Sequence, residues 1–321
     1  MEKKTVLLTG ANGFIGRALC QDLSTAGYRV RGAVREKLGP PVAWETIETG
    51  DFTKNFSWSP LLSDVDIVIH TAARVHQMKE SSGDLYAVYK QANTEPTLQL
   101  LQQAHAAGVT HFIFLSSIKV NGESTDFRPF SEKDLASPED PYSVSKYEAE
   151  RGIQEFCEQH PEISFSIFRL PLVYGVGVKA NFSALLRAVQ RKYPLPFKSV
   201  HNQRSLLYMG NLLSAIQADL QQDKVKNQVY LLGDGDDVSS AALMEKMGAA
   251  YGVKAYLFPI PPIVLRTIGI CLGKSKAVSR LLGSLQVDTK KVRTALQWVP
   301  PYTVATGLAE MADAEQKESS L

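Results

Sequence analysis

Two short stretches of the sequence combine side chains that could transfer a proton. Tyr142 and Lys146 lie four residues apart in DPYSVSKYEAE, a spacing that places both on one face of a helix. Ser116 and Ser117 follow the apolar run FIFL, where a strand is expected to end. A tyrosine phenol has an ordinary pKa of about 10, so it acts as a base near neutral pH only beside cations. A surface helix pair is the alternative for Tyr142 and Lys146.

A glycine-rich turn near the N-terminus predicts a dinucleotide site. The motif TGANGFIG stands between a short apolar run and an amphipathic stretch. Its glycines permit a tight turn and let backbone amides at a helix N-terminus face a pyrophosphate. A plain tight turn is the alternative, but the position after the first strand favours the dinucleotide. The cofactor contacts expected in this turn are Gly10, Asn12, Gly13, Phe14, Ile15 and Gly16.

The end of the second expected strand, YRVRGAVRE, should select between the two nicotinamide dinucleotides. A guanidinium there favours a ribose 2′-phosphate, whereas a carboxylate accepts hydrogen bonds from the 2′-hydroxyl. Arg35 occupies that place, so the sequence favours NADP(H). Glu36 is the competing residue. If Glu36 turned inward, NAD(H) would be preferred and Arg35 would be an ordinary solvated charge.

Further cofactor contacts are expected where later elements end. Asp51, in GDF, could accept a hydrogen bond from the adenine amino group, although an aspartate in a turn is often only a turn former. The small residues of VIHTAA would let the backbone approach the cofactor. The remaining expected cofactor contacts are Phe52, Thr71, Ala72, Ala73, Asn93, Tyr142, Lys146, Pro171 and Val173.

These residues need a scaffold, and the alternation of apolar runs with amphipathic stretches supplies one. Runs at 5–8, 29–34, 67–70, 112–115, 163–168 and 228–232 predict strands, and stretches at 15–26, 97–107, 143–158 and 239–251 predict helices. This order predicts an α/β fold with a Rossmann-type doubly wound parallel sheet. After about residue 172 the rhythm loosens, which predicts a smaller, interleaved C-terminal α/β substrate domain. We expect a dinucleotide-binding domain at 1–172 plus about 206–235, and a substrate domain at about 173–205 and 236–321.

The bulk composition argues against several classes of partner. Lys and Arg total 35 against 33 Asp and Glu, so no nucleic-acid or anionic-membrane partner is expected. The cysteines, Cys20, Cys157 and Cys271, lack metal-type spacing, so we expect buried, reduced thiols in a cytoplasmic protein and no metal site. The segment 256–272 is apolar, but prolines and an arginine interrupt it, so no integral membrane span is expected. A core helix, a substrate lid and a peripheral membrane contact remain open for this segment.

Together, these motifs resemble the extended short-chain dehydrogenase/reductase family, also described as the NAD-dependent epimerase/dehydratase family. The family motif TGxxGxxG matches the glycine turn, and YxxxK matches Tyr142 and Lys146. Aligning the flanks of its strand-end pattern SS(A/S)xxVYG places the active hydroxyl on Ser117 rather than Ser116. Asn121 stands where a tyrosine is common. The resemblance covers nearly the whole chain.

The resemblance implies an oxidoreductase that acts on a nucleotide-linked sugar. Tyr142 would pass a proton to or from the sugar oxygen, Ser117 would hydrogen-bond that oxygen, and Lys146 would hold the nicotinamide ribose. Lowering the Tyr142 pKa to about 7 would need roughly 4 kcal/mol, which Lys146 and an oxidised nicotinamide could supply. Because members of the family are often homodimers, a homodimer is expected by fold-level analogy.

Later segments resemble the substrate-binding parts of the family. KANF resembles the stretch whose asparagine holds a nucleotide diphosphate, and PLPF resembles the stretch against the base. Arg204, in NQRSLLYMGNL, aligns with an arginine that binds the diphosphate through its planar donors, with a surface charge as the alternative. The expected contacts with the UDP-linked sugar are His76, Ser117, Lys119, Asn181, Pro194, Leu195 and Arg204.

Two enzyme functions follow from the resemblance. SSIKVNGE, together with PLP, NQRS and SLQVD, resembles bacterial reductases that act on the 4-keto group of a UDP-4-keto-6-deoxy-N-acetylhexosamine in surface-polysaccharide synthesis. Arg35 fits the NADPH that such a reductase consumes, so this function is favoured. The alternative is a UDP-hexose 4-epimerase with tightly bound NAD. A remote alternative is a non-catalytic dinucleotide-sensing regulator, which would not need Ser117, Tyr142 and Lys146 together.

Overall fold

The structure is a computed structural model that describes residues 3–36, 42–53, 56–75, 84–222 and 226–319. Over these ranges, the strands are β1 (Thr5–Thr9), β2 (Arg29–Val34), β3 (Glu45–Glu48), β4 (Ile67–His70), β5 (His111–Ser117), β6 (Ser164–Leu170), β7 (Leu172–Tyr174), β8 (Leu206–Tyr208) and β9 (Gln228–Leu231). The α-helices are α1 (Phe14–Thr25), α2 (Ser59–Leu62), α3 (Leu85–Tyr89), α4 (Glu95–Ala106), α5 (Pro141–Gln159), α6 (Ala180–Gln190), α7 (Met209–Gln221), α8 (Ser240–Ala250), α9 (Pro262–Cys271), α10 (Ser275–Leu282), α11 (Lys290–Ala295) and α12 (Val304–Ser319).

Seven strands form one parallel sheet in the order β3-β2-β1-β4-β5-β6-β9. The strand order reverses at β1, and in such sheets ligands bind at the carboxyl ends beside the reversal. The predicted fold class is therefore confirmed. The strand and helix runs inferred from hydrophobic pattern each correspond to an observed element. The strands β3, β7 and β8 and the helices α2, α3, α6, α7, α10, α11 and α12 were not among those runs.

Burial along the strands explains which side chains emerge at the carboxyl edge. Every residue of β1, β4 and β6 is buried, as expected for a parallel sheet covered on both faces by helices. In β5 the five central residues are buried, and only His111 and Ser117 at its two ends are partly exposed. The last residue of β5 is thus the one that can reach a ligand.

The start of α5 is fixed by its own sequence. Asp140 precedes the helix and its carboxylate accepts a hydrogen bond from the Ser143 backbone N–H at 2.7 Å, while the Ser143 side chain bonds back to the Asp140 backbone. Pro141 occupies the first helical position, where no N–H is needed. Tyr142 therefore lies in the first turn of a well-defined helix.

The chain forms two compact units. The first comprises Met1–Gly122, Glu132–Leu170 and Ile216–Leu231 and contains the whole seven-stranded sheet. The second comprises Glu123–Ser131, Pro171–Ala215 and Leu232–Leu321, with the two-stranded parallel sheet of β7 and β8. Its core includes Tyr174, Leu206, Met244 and Leu308. The predicted boundaries assigned the segments 123–131, 206–215 and 232–235 to the dinucleotide-binding domain, whereas the structure assigns them to the second unit.

The apolar segment 256–272 contains α9, and its burial corrects two expectations. Only Leu265 and Gly269 of α9 are buried, so a core helix is the wrong interpretation. Cys271 is exposed, whereas Cys20 and Cys157 are buried as expected.

Among the helices in the described ranges, none combines the length and the apolar content that crossing a membrane requires.

Candidate active site

The glycine turn is packed too tightly to accept side chains at two of its glycines. Gly10 has a φ of +72°, and a Cβ there would lie 2.9 Å from the Ala72 backbone nitrogen. A Cβ on Gly16 would lie 2.1 Å from the Gly10 carbonyl oxygen, so no side chain can be accommodated. Gly13 caps α1 without a side-chain acceptor, and the first turn has no acidic residue. The first N–H groups of α1 are therefore available to a negatively charged ligand.

The loop after β2 is held against this turn. The Asn12 side-chain amide donates to the Glu36 backbone oxygen at 2.8 Å, which fixes the chain where cofactor selectivity is expected. Arg35 and Glu36 are both exposed. Exposure does not distinguish the two side chains, so selection of the cofactor by Arg35 stays a prediction.

Asp51 and Phe52 occupy a turn after β3. Asp51 Oδ1 accepts hydrogen bonds from the Thr53 backbone N–H at 3.2 Å and from the Thr53 hydroxyl at 2.7 Å. The Phe52 ring lies 5.4 Å from the Trp58 ring, between centroids. Asp51 thus has the turn-forming role that the sequence left open, and its contact with adenine remains a prediction.

His70, at the end of β4, is an uncharged histidine with a hydrogen-bond partner at each ring nitrogen. His70 Nδ1 lies 2.7 Å from Thr9 Oγ1, and Nε2 lies 2.9 Å from Thr97 Oγ1. Because Thr97 donates to the Asn93 carbonyl, its oxygen accepts from His70 Nε2–H, and Nδ1 is then the acceptor. Burial, followed by the charge of Lys146, lowers the pKa of His70 to about 3. The ring therefore stays uncharged beside the Thr71–Ala73 stretch.

Asn93 is engaged within the protein. Its amide nitrogen donates to the Arg74 carbonyl at 3.2 Å and to Ser145 Oγ at 3.0 Å. Its Oδ1 accepts from the Arg74 N–H at 2.7 Å. Both amide hydrogens are thereby used, so the observed role of Asn93 is to tie the chain after β4 to α5. Contact with the cofactor remains a prediction.

The two serines at the end of β5 have different surroundings. Ser116 is buried and its hydroxyl donates to the Glu150 carboxylate. Ser117 is half-buried, and its oxygen accepts a hydrogen bond from the Lys119 N–H at 3.3 Å, which leaves its hydroxyl hydrogen free to donate. This difference supports Ser117 as the substrate-facing hydroxyl.

Lys146 anchors α5 on the end of β5. Its Nζ donates to the Leu115 carbonyl at 2.9 Å and lies 4.4 Å from the centroid of the Phe114 ring. Leu115 is two residues before Ser117 in the same strand, and Tyr142 is one helical turn before Lys146. The structure therefore brings the three predicted catalytic residues to the carboxyl end of β5.

Burial controls the protonation of this pair. Burial raises the pKa of Tyr142 to about 12, with further contributions from the charges of Asp140 and Tyr89. Burial also lowers the pKa of Lys146 to about 7, against the opposing charge of Glu150. The expectation that Lys146 lowers the pKa of Tyr142 is therefore not met by the chain's own residues. The Tyr142 phenol therefore keeps its proton at neutral pH, and a basic role would require positive charge beyond that of Lys146.

A buried ion pair beneath this site was missing from the sequence interpretation. Arg169 Nη2 lies 2.6 Å from Glu150 Oε2, and Arg169 Nη1 donates to Asn121 Oδ1 at 2.9 Å. Both charged side chains are almost completely buried. Asn121, which departs from the family pattern, thus supplies an acceptor for the guanidinium. Two signals were present: Arg169 interrupts an apolar strand, and Glu150 follows Lys146 by four residues.

Lys119, an expected substrate contact, reaches the start of α5. Its Nζ hydrogen-bonds Asp140 Oδ2. Burial alone would raise the pKa of Asp140, but hydrogen bonds from Lys119 and Ser143 lower it below the ordinary value. Lys119 thereby helps to fix the helix start, and its contact with substrate remains a prediction.

Arg204 is the most distinctive of the predicted substrate residues in the second unit. Its Nη1 donates to the carbonyls of Arg280 and Gly283, at 2.6 and 3.1 Å. Burial, followed by the nearby charge of Arg280, lowers the pKa of Arg204. Among the residues that the structure describes, no carboxylate pairs with Arg204. It is a half-buried cation suited to a phosphate group rather than a solvated surface charge.

The other predicted contacts in the second unit lie in separate elements. Asn181 is exposed in the first turn of α6, Pro171 is buried before β7, and Val173 is half-buried within β7. Pro194 is exposed, and Leu195 pairs through its backbone with the Tyr256–Phe258 strand-like segment. His76 lies outside the described residues.

One group of side chains with metal-ligand chemistry occurs in the described ranges. Ligand atoms of His105, His160 and Glu162 lie within 4.8 Å of one another. These residues stand at the carboxyl ends of α4 and α5, whereas Tyr142 opens α5, so they are not part of the catalytic group. His105 Nε2 bonds Glu162 Oε1 at 2.5 Å, which the sequence spacing did not indicate.

The sheet, the glycine turn and the Ser–Tyr–Lys group define a dinucleotide-dependent enzyme class. The family model described as "NAD dependent epimerase/dehydratase family" matches residues 6–233, and the chain belongs to that family. The family inferred from the motifs is thereby confirmed.

Several individual proteins are similar to this chain over nearly its full length. The chain is 38% identical to a UDP-glucose 4-epimerase of Vibrio cholerae, over 97% of this chain and 95% of the relative. It is 26% identical to the N-acetyl-alpha-D-glucosaminyl-diphospho-ditrans,octacis-undecaprenol 4-epimerase of Escherichia coli O157:H7, over 94% and 92%. A crystal structure of UDP-glucuronic acid 4-epimerase from Bacillus cereus, with UDP-glucuronic acid and NAD, is similar with a TM-score of 0.77 at 25% identity, covering 98% of this chain and 99% of that one.

Proposed function

We propose that the chain is a UDP-hexose 4-epimerase that works with NAD(H). The observation that carries this proposal is the 38% identity, over nearly the full length of both chains, to a protein named UDP-glucose 4-epimerase. The similar structure from Bacillus cereus was solved with NAD and a UDP-sugar, which supports the same cofactor and substrate class. The proposal replaces the preference for an NADP(H)-dependent 4-keto reductase that the sequence motifs alone favoured.

The chain's own residues handle the proton and the orientation of the sugar. When bound, NAD supplies hydride acceptance from the sugar carbon and hydride return to its opposite face. Tyr142 exchanges the proton of the 4-oxygen, and Ser117 donates a hydrogen bond to the same oxygen. Lys146, held by the Leu115 carbonyl, keeps α5 on the end of β5 and places its positive charge one turn from the phenol.

Arg204 is suited to bind the diphosphate of a nucleotide-linked substrate. A half-buried guanidinium without an acidic partner among the described residues gains charge-assisted hydrogen bonds when a phosphate arrives. The neighbouring charge of Arg280 adds to the positive potential that Arg204 experiences. These features support a substrate that carries a diphosphate.

The decisive experiment follows product and cofactor together. Purified protein incubated with UDP-glucose should form UDP-galactose without net consumption of NADH or NADPH, and denaturation should release bound NAD(H). UDP-N-acetylglucosamine and UDP-glucuronic acid are tested in parallel to define the sugar. Stoichiometric NADPH oxidation with UDP-4-keto-6-deoxy-N-acetylglucosamine, and no conversion of any of the three UDP-sugars, would contradict the epimerase and establish the reductase.

The reductase stays the second candidate because Arg35 is exposed at the end of β2, where a 2′-phosphate would lie. Replacing Arg35 by alanine should weaken NADP(H) binding by about tenfold or more, since hydrogen bonds to charged groups contribute roughly 1.5–3 kcal/mol. NAD(H) binding should change less than about threefold. Fluorescence titrations with NADPH and NADH measure both affinities.

Arg29→Ala is the matched control for this substitution, because Arg29 is an exposed arginine at the opposite end of β2. It should leave both affinities near those of the native chain. Equal weakening of both dinucleotides by Arg35→Ala would show that Arg35 does not read the ribose 2′ position.

A homodimer is also proposed, by analogy with the family. Sedimentation equilibrium of the purified chain tests it directly, since the mass should be twice that of the 35.3 kDa chain.

A further inference from the structure

The hairpin of α9 and α10, with the chain that leads into it, forms a surface of unusual composition. We define the basic apolar segment as residues 253–282. It contains five Lys and Arg residues and no Asp or Glu. The balance of the whole chain, 35 basic against 33 acidic side chains, predicted no anionic-membrane partner, but this segment concentrates positive charge locally.

The hairpin packs in a small apolar cluster with neighbouring residues of the second unit, so its outer face is part of a folded structure. Leu265 packs with Val200 and Leu282 in a small cluster that also includes Val278. A Cβ on Gly269 would lie 2.8 Å from Val278 Cγ2, which shows how closely the two helices approach. The exposed side chains are therefore presented by a defined pair of helices.

The outer face of α9 is apolar over most of its length. Ile263, Ile270 and Leu272 are 67%, 68% and 66% exposed, and Ile268 is 45% exposed. Contiguous exposed apolar residues of this kind mark an interaction surface rather than an ordinary one. Two aromatic side chains that precede α9 are also exposed: Tyr256 and Phe258.

The cations around this face are available to a partner. Lys254, Arg266 and Lys274 are exposed, and among the described residues no carboxylate lies within ion-pair distance of them. Arg280 is the exception, with its Nε 3.8 Å from Glu123 Oε2. The surface therefore combines apolar side chains with unneutralised positive charge.

From this combination we infer that the basic apolar segment binds the surface of an anionic phospholipid bilayer. Apolar side chains enter the boundary between headgroups and acyl chains, while Lys and Arg contact anionic headgroups. The ten residues of α9 extend about 15 Å, half of the roughly 30 Å of a bilayer core, so the helix lies along the surface.

The charge argues against a second copy of the chain as the occupant. A two-fold contact would place this face against itself and bring the cations of both copies together without an intervening acid. An anionic lipid surface instead neutralises them. The apolar character of α9 also suits acyl chains better than the polar groups of a nucleotide sugar.

Vesicle flotation tests the inference with the full chain and requires no turnover. The chain should bind vesicles of phosphatidylglycerol and phosphatidylcholine in equal parts about tenfold more strongly than vesicles of phosphatidylcholine alone, and added salt should weaken the binding. The double variant Ile270→Asp/Leu272→Asp should reduce binding to the mixed vesicles by about tenfold or more. Lys274→Glu should reduce it severalfold.

Two matched substitutions in the same unit serve as controls. Val299→Asp introduces a charge at an apolar side chain that is 72% exposed, and Lys290→Glu reverses a cation whose side chain is 90% exposed. Both should bind vesicles as the native chain does, and circular dichroism should show all variants folded.

Four outcomes would overturn the inference. The first is absence of binding to the mixed vesicles, and the second is equal binding by the Ile270→Asp/Leu272→Asp variant and the native chain. The third is a change in sedimentation mass for that variant without a change in vesicle binding, which would assign the face to a second copy. A raised KM for the UDP-sugar with unchanged vesicle binding would likewise overturn it and identify α9 as a substrate lid.

Discussion

Replacing Tyr142 by phenylalanine should lower kcat by a factor of about 100 to 10,000, the usual contribution of a positioned proton-transfer group. The phenol oxygen is the only atom removed, so the ring contact with Tyr89, at 6.3 Å between centroids, is kept. Dinucleotide binding and the unfolding midpoint should remain close to those of the native chain. A coupled assay for the epimerised sugar and a fluorescence titration measure the two effects separately.

Tyr147→Phe is a matched control on the same helix. Tyr147 lies one residue beyond Lys146, on a different face from Tyr142. Its substitution should leave kcat within about twofold. If Tyr142→Phe also retained nearly full turnover, Tyr142 would not be the proton-transfer group, whatever the fold of the chain.

Replacing Glu150 by glutamine should lower the free energy of unfolding by about 3–5 kcal/mol, because Arg169 would remain as an unpaired buried cation. Urea unfolding followed by circular dichroism measures this change. The control is Glu155→Gln on the same helix, since Glu155 pairs with Arg151 where both side chains are more than half exposed. That substitution should have little effect.

The same substitution should also move the pH dependence of activity. Burial lowers the pKa of Lys146 and the charge of Glu150 raises it, and with both influences the pKa is about 7. Without the carboxylate the pKa falls further, so Lys146 loses its proton at a lower pH. The loss of kcat as pH rises should shift to lower pH in Glu150→Gln, an effect that structural weakening alone would not produce.

A double variant covers the case in which Glu150→Gln does not fold. Glu150→Leu/Arg169→Met removes both charges and fills their space with apolar atoms, which in other proteins costs little or stabilises. We expect it to unfold at a higher urea concentration than Glu150→Gln. Equal stability of Glu150→Gln and Glu155→Gln would show that the buried pair does not stabilise this fold.

The sequence predicted the parts of the site that depend on local pattern. The glycine turn was found because Gly10, Gly13 and Gly16 stand between a strand and a helix. The spacing of apolar residues predicts both of these elements. The face shared by Tyr142 and Lys146 follows from helical geometry alone. The alternation of strands and helices along the sequence was sufficient to predict the parallel sheet.

Features that join distant segments could not be obtained in the same way. The pairing of Glu150 with Arg169 depends on α5 crossing β6, and the network of His70 joins β1, β4 and α4. Strands β7 and β8 have three residues each, too few for a period-2 pattern to be recognised. The protonation of Tyr142 and Lys146 follows from burial, which three-dimensional packing determines.

The exposure of Cys271 gives the native chain a single accessible thiol on α9. Cys20 and Cys157 are buried, and burial raises the pKa of each thiol to about 12, which suppresses their thiolate and hence their reactivity. A maleimide-linked fluorophore should therefore attach at one position without any engineered cysteine. Its emission would report directly on the polarity that the outer face of this helix encounters.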